Sequence, residues 1–396
     1  MHDDRCTRPT YTVNREELSF RSGALKSRSR DLTTKPPQPV SVLINLVRYS
    51  GYCVCFPRLG TRVRSAAERN LKFCHNLQSN RTIYLSTRSG AFVVTPAGPY
   101  GLLYDYIFLR LCFYYLVKVI PIHFVSWLLE SLYLKPQLNK NTYKIKPSQD
   151  LLSKDPVLND HINEKLSSEQ VTQKPDIKCF TKDGIIFEGD TEVTEVDIVI
   201  MATWYTYKFP FLEDDIVTQE EGIINLYKCM FPIHLQHSTL AVIGFVMPFG
   251  PGFPILELQC RYAVQILAGK CKLPSYELML KDVKEKYGSN LSRFTPSEKM
   301  SLRVDYIEYS NELASKFGAK PNLLKLLITD TGLFLRVLFG PSLPYQYRLQ
   351  GPHCWDGARK AIIESRERMS WTIQDLNASK NIFQKFIKKI LGFFFL

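Results

Sequence analysis

Apolar residues in this chain occur in two patterns, unbroken runs and helical repeats, and the two predict different elements. The segment Val196-Asp197-Ile198-Val199-Ile200-Met201-Ala202 is β-branched and nearly all apolar, as expected of a central strand buried on both faces of a parallel sheet. Thr82–Ser86 predicts a second short strand, and the run from Ser41 to Phe56 predicts one or two more. Asp183 to Glu195 reads as a hairpin around Gly189-Asp190. Thr239 to Phe245 has no polar face and predicts another buried strand. After it come Pro248, Gly250, Pro251, Gly252 and Pro254, and a helix is expected from near Pro254. In that helix Ile255, Leu258, Tyr262, Ile266 and Leu267 recur at helical spacing. Further helices are expected over Tyr276–Tyr287, Val304–Phe317 with Gly318 as its cap, and Asn322–Leu338. Strands followed by helices give an α/β class.

Two stretches carry a different pattern. Leu102 to Leu134 is rich in Tyr, Phe, Trp and Leu, but Asp105, Arg110, Lys118, His123 and Glu130 interrupt it. A single spanning helix is not expected there, and Pro121 should divide it into two helices, lying in a membrane interface or packed in a core. From Asn381 to Leu396 the apolar residues Ile382, Phe383, Phe386, Ile387, Ile390, Leu391 and Phe394 fall on one helical face, with Lys385, Lys388 and Lys389 away from its centre. That is a basic amphipathic tail suited to an anionic membrane surface.

Charge sharpens this picture. The 396 residues carry 51 Lys and Arg against 38 Asp and Glu, a net charge of +13. Residues 1–80 alone hold 14 basic and 6 acidic side chains. The first 40 of them lack apolar periodicity and predict a disordered arm. A basic arm suits anionic lipid or nucleic acid, but charge is all that favours nucleic acid, and no nucleic-acid partner is assigned. The ten cysteines are scattered without a C-x-x-C pair, which points to a reduced, cytosol-facing chain. His234 and His237 are the one histidine pair at metal-like spacing, and no Cys or carboxylate cluster accompanies them, so no metal site is expected. His161 reads as a surface histidine beside Asn159 and Asp160, which should cap a turn. No nucleophile triad or acid–base pair stands out, and the catalytic residues stay unassigned.

The order I-G-F…P-x-G…P-x-x-E-L-Q-x-R-x-A from Ile243 to Ala263 resembles the C-terminal half of the flavin-containing monooxygenases. The likeness covers roughly Asn80 to Ile363. It takes in Ser86-Thr87-Arg88, the K-P…L-N-D block to Asp160, Phe209–Asp214, Leu226–Leu235 and the closing string Gly340 to Ile362. It implies a two-dinucleotide-binding-domain flavoprotein fold, here a remnant with a helical membrane-associated insertion and a helical C-terminal part. The divisions expected are an unmatched basic arm over 1–79 and a partial NADPH-binding domain over 80–200, with the apolar insertion at 102–134. The C-terminal part of an FAD-binding domain would follow over 201–365, with a linker and anchor tail over 366–396. The resemblance implies FAD and NADPH as cofactors and oxygenation of soft nitrogen or sulfur atoms in a small-molecule substrate. It also implies the cytosolic face of the endoplasmic reticulum membrane, with a cytoplasmic protein as the alternative. Ser86, Thr87 and Arg88 would then meet the 2′-phosphate of NADPH, and Thr203, Gly244, Gly250, Gly252 and Gln259 would lie along the FAD. Oligomeric state is not indicated.

The chain departs from the family at three points. No G-x-G-x-x-G occurs in it, although such loops give pyrophosphates a close backbone approach. The F-x-G-x-x-x-H fingerprint is also absent. Trp204 stands where the family has the glycine of A-T-G-Y, in Ala202-Thr203-Trp204-Tyr205. These departures leave a second reading open, a membrane-associated protein that keeps the scaffold without catalysis.

Overall fold

The computed structural model describes residues 42–45, 83–87, 90, 92–94, 103–131, 150–154, 156–159, 162–201, 209–294 and 300–370. The chain divides into two compact units, Met1–Val94 with Leu134–Tyr207, and Thr95–Tyr133 with Lys208–Leu396.

The first unit is organised by a parallel sheet of β1 (Val42–Asn45), β2 (Ile83–Ser86), β3 (Val171–Lys174) and β4 (Ile198–Met201), in the spatial order β3-β2-β1-β4. In register, Asn45 lies beside Ser86 on one side and Met201 on the other. Chain order 3-2-1-4 is that of one half of a doubly wound dinucleotide-binding sheet, whose ligands sit outside the carboxyl ends of the strands. Leu85, Val93, Ile162 and Val171 pack together beneath it. The expected hairpin is present: Gly184–Phe187 pairs antiparallel with Thr194–Glu195, and Gly189 takes the left-handed φ of +85° that the turn requires. Asn159 does cap a helix, its Oδ1 accepting the Ile162 N–H at 2.7 Å. Cys179 is disulfide-bonded, while Cys112, Cys229, Cys260, Cys271 and Cys354 are free. The reduced usage expected from the scattered spacing holds for five of the six described cysteines, and Cys179 departs from it, because spacing along a chain does not reveal which thiols a fold brings together.

The second unit is mostly helical. Pro121 separates two helices as expected, α1 (Leu111–Val119) and α2 (Ile122–Leu129), but the stretch holds a third, shorter helix, Tyr104–Phe108, ahead of them. Among the described residues no helix is long and apolar enough to cross a membrane. The organising helix, α3, runs from Gly252 to Leu267 and buries Ile255, Leu258, Tyr262 and Ile266, whereas Leu267 is exposed at its end. It is followed by α4 (Tyr276–Arg293) and α5 (Tyr306–Lys316), after which Gly318 adopts the left-handed cap. The single helix expected over Asn322–Leu338 is two, α6 (Leu323–Thr329) and α7 (Thr331–Phe339). Asp330 makes the break, since its Oδ1 accepts the Leu333 N–H at 3.0 Å and so starts a new helix.

The strand expected over Thr239–Phe245 is not formed. The segment is irregular, tied back by a Val242 N–H to Met230 carbonyl bond of 2.8 Å, and Gly244 turns it with a φ of +84°. The strand lies later, in Met247–Phe249, which pairs parallel with Arg303–Asp305. Pro248 sits within it, tolerable because the sheet has only two strands and its missing N–H costs little at an edge.

Candidate functional site

In the first unit the residues expected at a nicotinamide dinucleotide stand at the carboxyl end of β2. Ser86 is fully buried and its hydroxyl donates to the Pro175 carbonyl at 2.6 Å. The Thr87 N–H donates to the Lys174 carbonyl at 3.3 Å, and its Oγ1 accepts from Gln173 Nε2 at 3.3 Å. These bonds lock the end of β2 to β3 and spend the Ser86 hydroxyl on the backbone. Arg88, Thr203 and Trp204 lie outside the described residues.

In the second unit the expected residues surround the start of α3. Gln259 is fully buried and both ends of its amide are used: Oε1 accepts the Gly244 N–H at 2.9 Å and Nε2 donates to the Tyr309 hydroxyl at 2.9 Å. Tyr309 in turn donates to the Lys228 carbonyl. A buried amide needs such partners, and these two fasten the Gly244 bend to α3 and α5. Gln259 is thus a positioning residue for the bend. Glu257, its neighbour on the same helix, is partly exposed and pairs with Arg348 at 2.6 Å.

Gly250 has a φ of +141°, and a Cβ there would lie 2.6 Å from the Cβ of Tyr306. Its glycine is required by close packing against α5, so the space a side chain would take is already filled by protein. Gly252 is buried at the first helical position. The helix has no side-chain cap at its N-terminus. Of the four backbone nitrogens that begin it, Pro251 and Pro254 carry no hydrogen, leaving Gly252 and Phe253 as donors. Two N–H groups at the positive end of a helix fit one acceptor edge of a bound flavin, but not a whole pyrophosphate.

Electrostatics around this core favour neutral tyrosines. Burial pushes the Tyr262 hydroxyl up to about 12, with further contributions from Cys271 and Asp282. Tyr227, Tyr306, Tyr309 and Tyr347 are also raised, again chiefly by burial. Sequence reading missed the group beneath them. Lys228 is buried and pairs with Asp282 Oδ1 at 2.5 Å and with Glu312. The three residues are far apart in the chain, and no motif announces them. The closing block is seated by Arg261, which donates to the carbonyls of Tyr347 at 2.9 Å and Pro352 at 2.8 Å. His234 and His237 are exposed, and among the described residues no cluster of metal-ligating side chains forms.

A family model described as Flavin-binding monooxygenase-like matches residues 73–396. The chain is 37% identical over 312 residues to dimethylaniline monooxygenase (N-oxide-forming) 2 of Rattus norvegicus, covering 78% of this chain and 58% of that protein. It is 36% identical over 312 residues to flavin-containing monooxygenase 2 of Homo sapiens, with the same coverage of 78% and 58%. The chain therefore spans somewhat over half the length of the curated relatives it matches. Among solved structures it is similar to the S-allyl-L-cysteine S-oxygenase from Allium sativum, at 18% identity and a TM-score of 0.39, covering 82% of this chain and 55% of that one.

Proposed function

Since the chain belongs to the flavin-binding monooxygenase-like family, we propose that it serves FAD- and NADPH-dependent oxygenation of small molecules bearing a soft nitrogen or sulfur atom. The observation that carries this reading is the β3-β2-β1-β4 parallel sheet, with Ser86 ending β2, Thr87 directly after it and Arg88 next in the sequence. That is the position from which a doubly wound sheet reads the ribose of a dinucleotide, and an Arg there suits a 2′-phosphate. The N-oxide-forming relative supports a soft nitrogen as the target. When bound, FAD reduced by NADPH supplies the oxygen-activating chemistry. The chain's own part is to bind and orient. The Gly252 and Phe253 N–H groups would hold one acceptor edge of the flavin, Gln259 holds the Gly244 bend in place, and the Ser86 and Thr87 bonds fix the end of β2.

A second reading is favoured by particular residues. β1 takes the place of the strand that a glycine loop normally follows, but its sequel is Leu46-Val47-Arg48-Tyr49-Ser50-Gly51. Each charge-assisted N–H bond to a phosphate contributes about 1.5–3 kcal/mol. Losing two weakens affinity on the order of 10²–10⁴-fold. In this reading the chain is a scaffold with poor cofactor affinity, held at the cytosolic face of the endoplasmic reticulum membrane. Its lipid contacts would be the basic tail and the exposed Val119, Leu324, Ile328, Leu335 and Phe339, on α1, α6 and α7, of which α7 packs against each of the other two. Titrating FAD into the purified chain by flavin fluorescence quenching separates the two. Submicromolar binding followed by NADPH-dependent bleaching of the flavin supports the enzyme. Binding 10²-fold or more weaker, without bleaching, supports the scaffold.

A further inference from the structure

The turn between Leu226–Tyr227 and Phe231–Pro232 holds a thiol and an amine in contact. Cys229 Sγ is buried, at 3% residue exposure, and lies 2.7 Å from Lys286 Nζ on α4. That separation is at the short end even for N–H···O bonds, although sulfur is the larger atom. A single oxygen atom bonded to both would span it. Lys286 stands under the ring of Tyr309, 5.8 Å from its centroid, which fixes the direction of approach. It also lines a polar cavity of about 470 Å³ together with Lys228, Asp282, Tyr309 and Glu312, so small oxidants reach the amine. The Cys229 thiol also meets the Ser301 carbonyl, at 3.5 Å.

We propose that Cys229 and Lys286 are a redox modification site, joined by dioxygen into a sulfur–oxygen–nitrogen bridge. The balanced change is Cys–SH + Lys–NH₂ + O₂ → Cys–S–O–NH–Lys + H₂O, the ammonium having first given its proton to water in the cavity. Sulfur and nitrogen each lose their bond to one hydrogen and gain a bond to the same oxygen. The second oxygen atom leaves as water. Four electrons and four protons from a thiol reductant reverse it, returning thiol, amine and a further water. The bridge would pin the turn to α4. Lys228 and Cys229 both have left-handed backbones there, with φ of +53° and +54°. From the turn, the Lys228 carbonyl, Tyr309 and Gln259 lead by hydrogen bonds to the Gly244 bend. Oxidation is thereby coupled to the start of α3, whether or not a cofactor binds.

The test is peptide mapping of the full chain, kept either under air or under a phosphine reductant, then denatured, alkylated and digested with trypsin. Under air we expect a cross-linked pair of peptides containing Cys229 and Lys286, heavier than their sum by one oxygen less two hydrogens. Cleavage after Lys286 should be lost. The added oxygen should carry label from ¹⁸O₂, and the reductant should abolish the product. Lys286→Arg keeps the cation against Tyr309 but lacks the primary amine, and should leave Cys229 fully alkylated. Cys229→Ser should do the same for Lys286 cleavage, and if it fails to fold the Lys286→Arg result stands alone. Complete alkylation of Cys229 with normal cleavage after Lys286 under air would overturn the proposal. So would a disulfide at Cys229, or a sulfinic acid there with Lys286 unmodified.

Discussion

Lys228 and Ile328 belong to the same compact unit and are placed against their chemistry. The lysine is 4% exposed and the isoleucine 84%. The polar groups of Lys228 find partners: its ammonium Asp282 and Glu312, its carbonyl Tyr309, and that tyrosine Gln259. Ile328 instead stands exposed on α6, as does Leu324 on the same helix, and Val119 on α1 is 83% exposed. Burying a paired charge costs desolvation, and exposing leucines forgoes burial. The interior therefore trades stability for one defined arrangement at the start of α3, and the surface trades it for an apolar face.

The sharpest test of the interior is Gly250→Ala. The residue's φ and the approach of Tyr306 should together cost about 3–5 kcal/mol, read as a lower urea midpoint. An unchanged midpoint would mean that α5 does not press on the bend. Lys228→Ala comes next. It leaves two partly exposed carboxylates without their cation, so about 2–3 kcal/mol is expected, below the full penalty for a closed pair.

Alkali tests the same interior without mutation. Tyr262 titrates near 12 when folded, above its unfolded value, so its contribution is complete below about pH 10 and is lost as pH rises toward 12. Stability should fall by about 1.4 kcal/mol per pH unit for each such tyrosine in that window, measured by urea unfolding between pH 9 and 11. A flat profile would show that water reaches the tyrosines. The smallest stability effect belongs to the outer face. Val119→Ser with Ile328→Ser should move the midpoint by less than about 0.5 kcal/mol. The same pair should reduce flotation with anionic liposomes if this face meets lipid. A large loss of stability would place the face inside an interface of another kind.

How much of this was legible in the chain depended on whether the cause was local. Pro121 breaks a helix through its own ring, and Gly318 caps one through its own φ, so both could be read in place. The apolar spacing of Ile255, Leu258, Tyr262 and Ile266 told which face of α3 is buried. The run at Thr239–Phe245 misled because hydrophobicity does not say whether a partner strand lies alongside. The parallel partner, Arg303–Asp305, is opposite Met247–Phe249 instead. The Lys228 group and the Cys229–Lys286 contact depend on residues far apart in sequence, and local patterns carry no record of them. For Gln259 the chain showed a polar residue on an apolar face, enough to foresee a buried hydrogen bond but not which groups would share it.

The position of β1 also sets a timetable. Its two neighbours arrive at very different moments of synthesis, β2 soon afterwards and β4 only some 150 residues later. At about 5–20 residues per second, that leaves the other edge of β1 unpaired on the order of 10–30 s. An open edge of Val-Leu-Ile is a template for any passing strand. The nascent chain should therefore be most dependent on chaperones between the emergence of β2 and that of β4. Arresting translation just before Ile198 should yield a chain that aggregates on release, and arrest after Met201 one that does not.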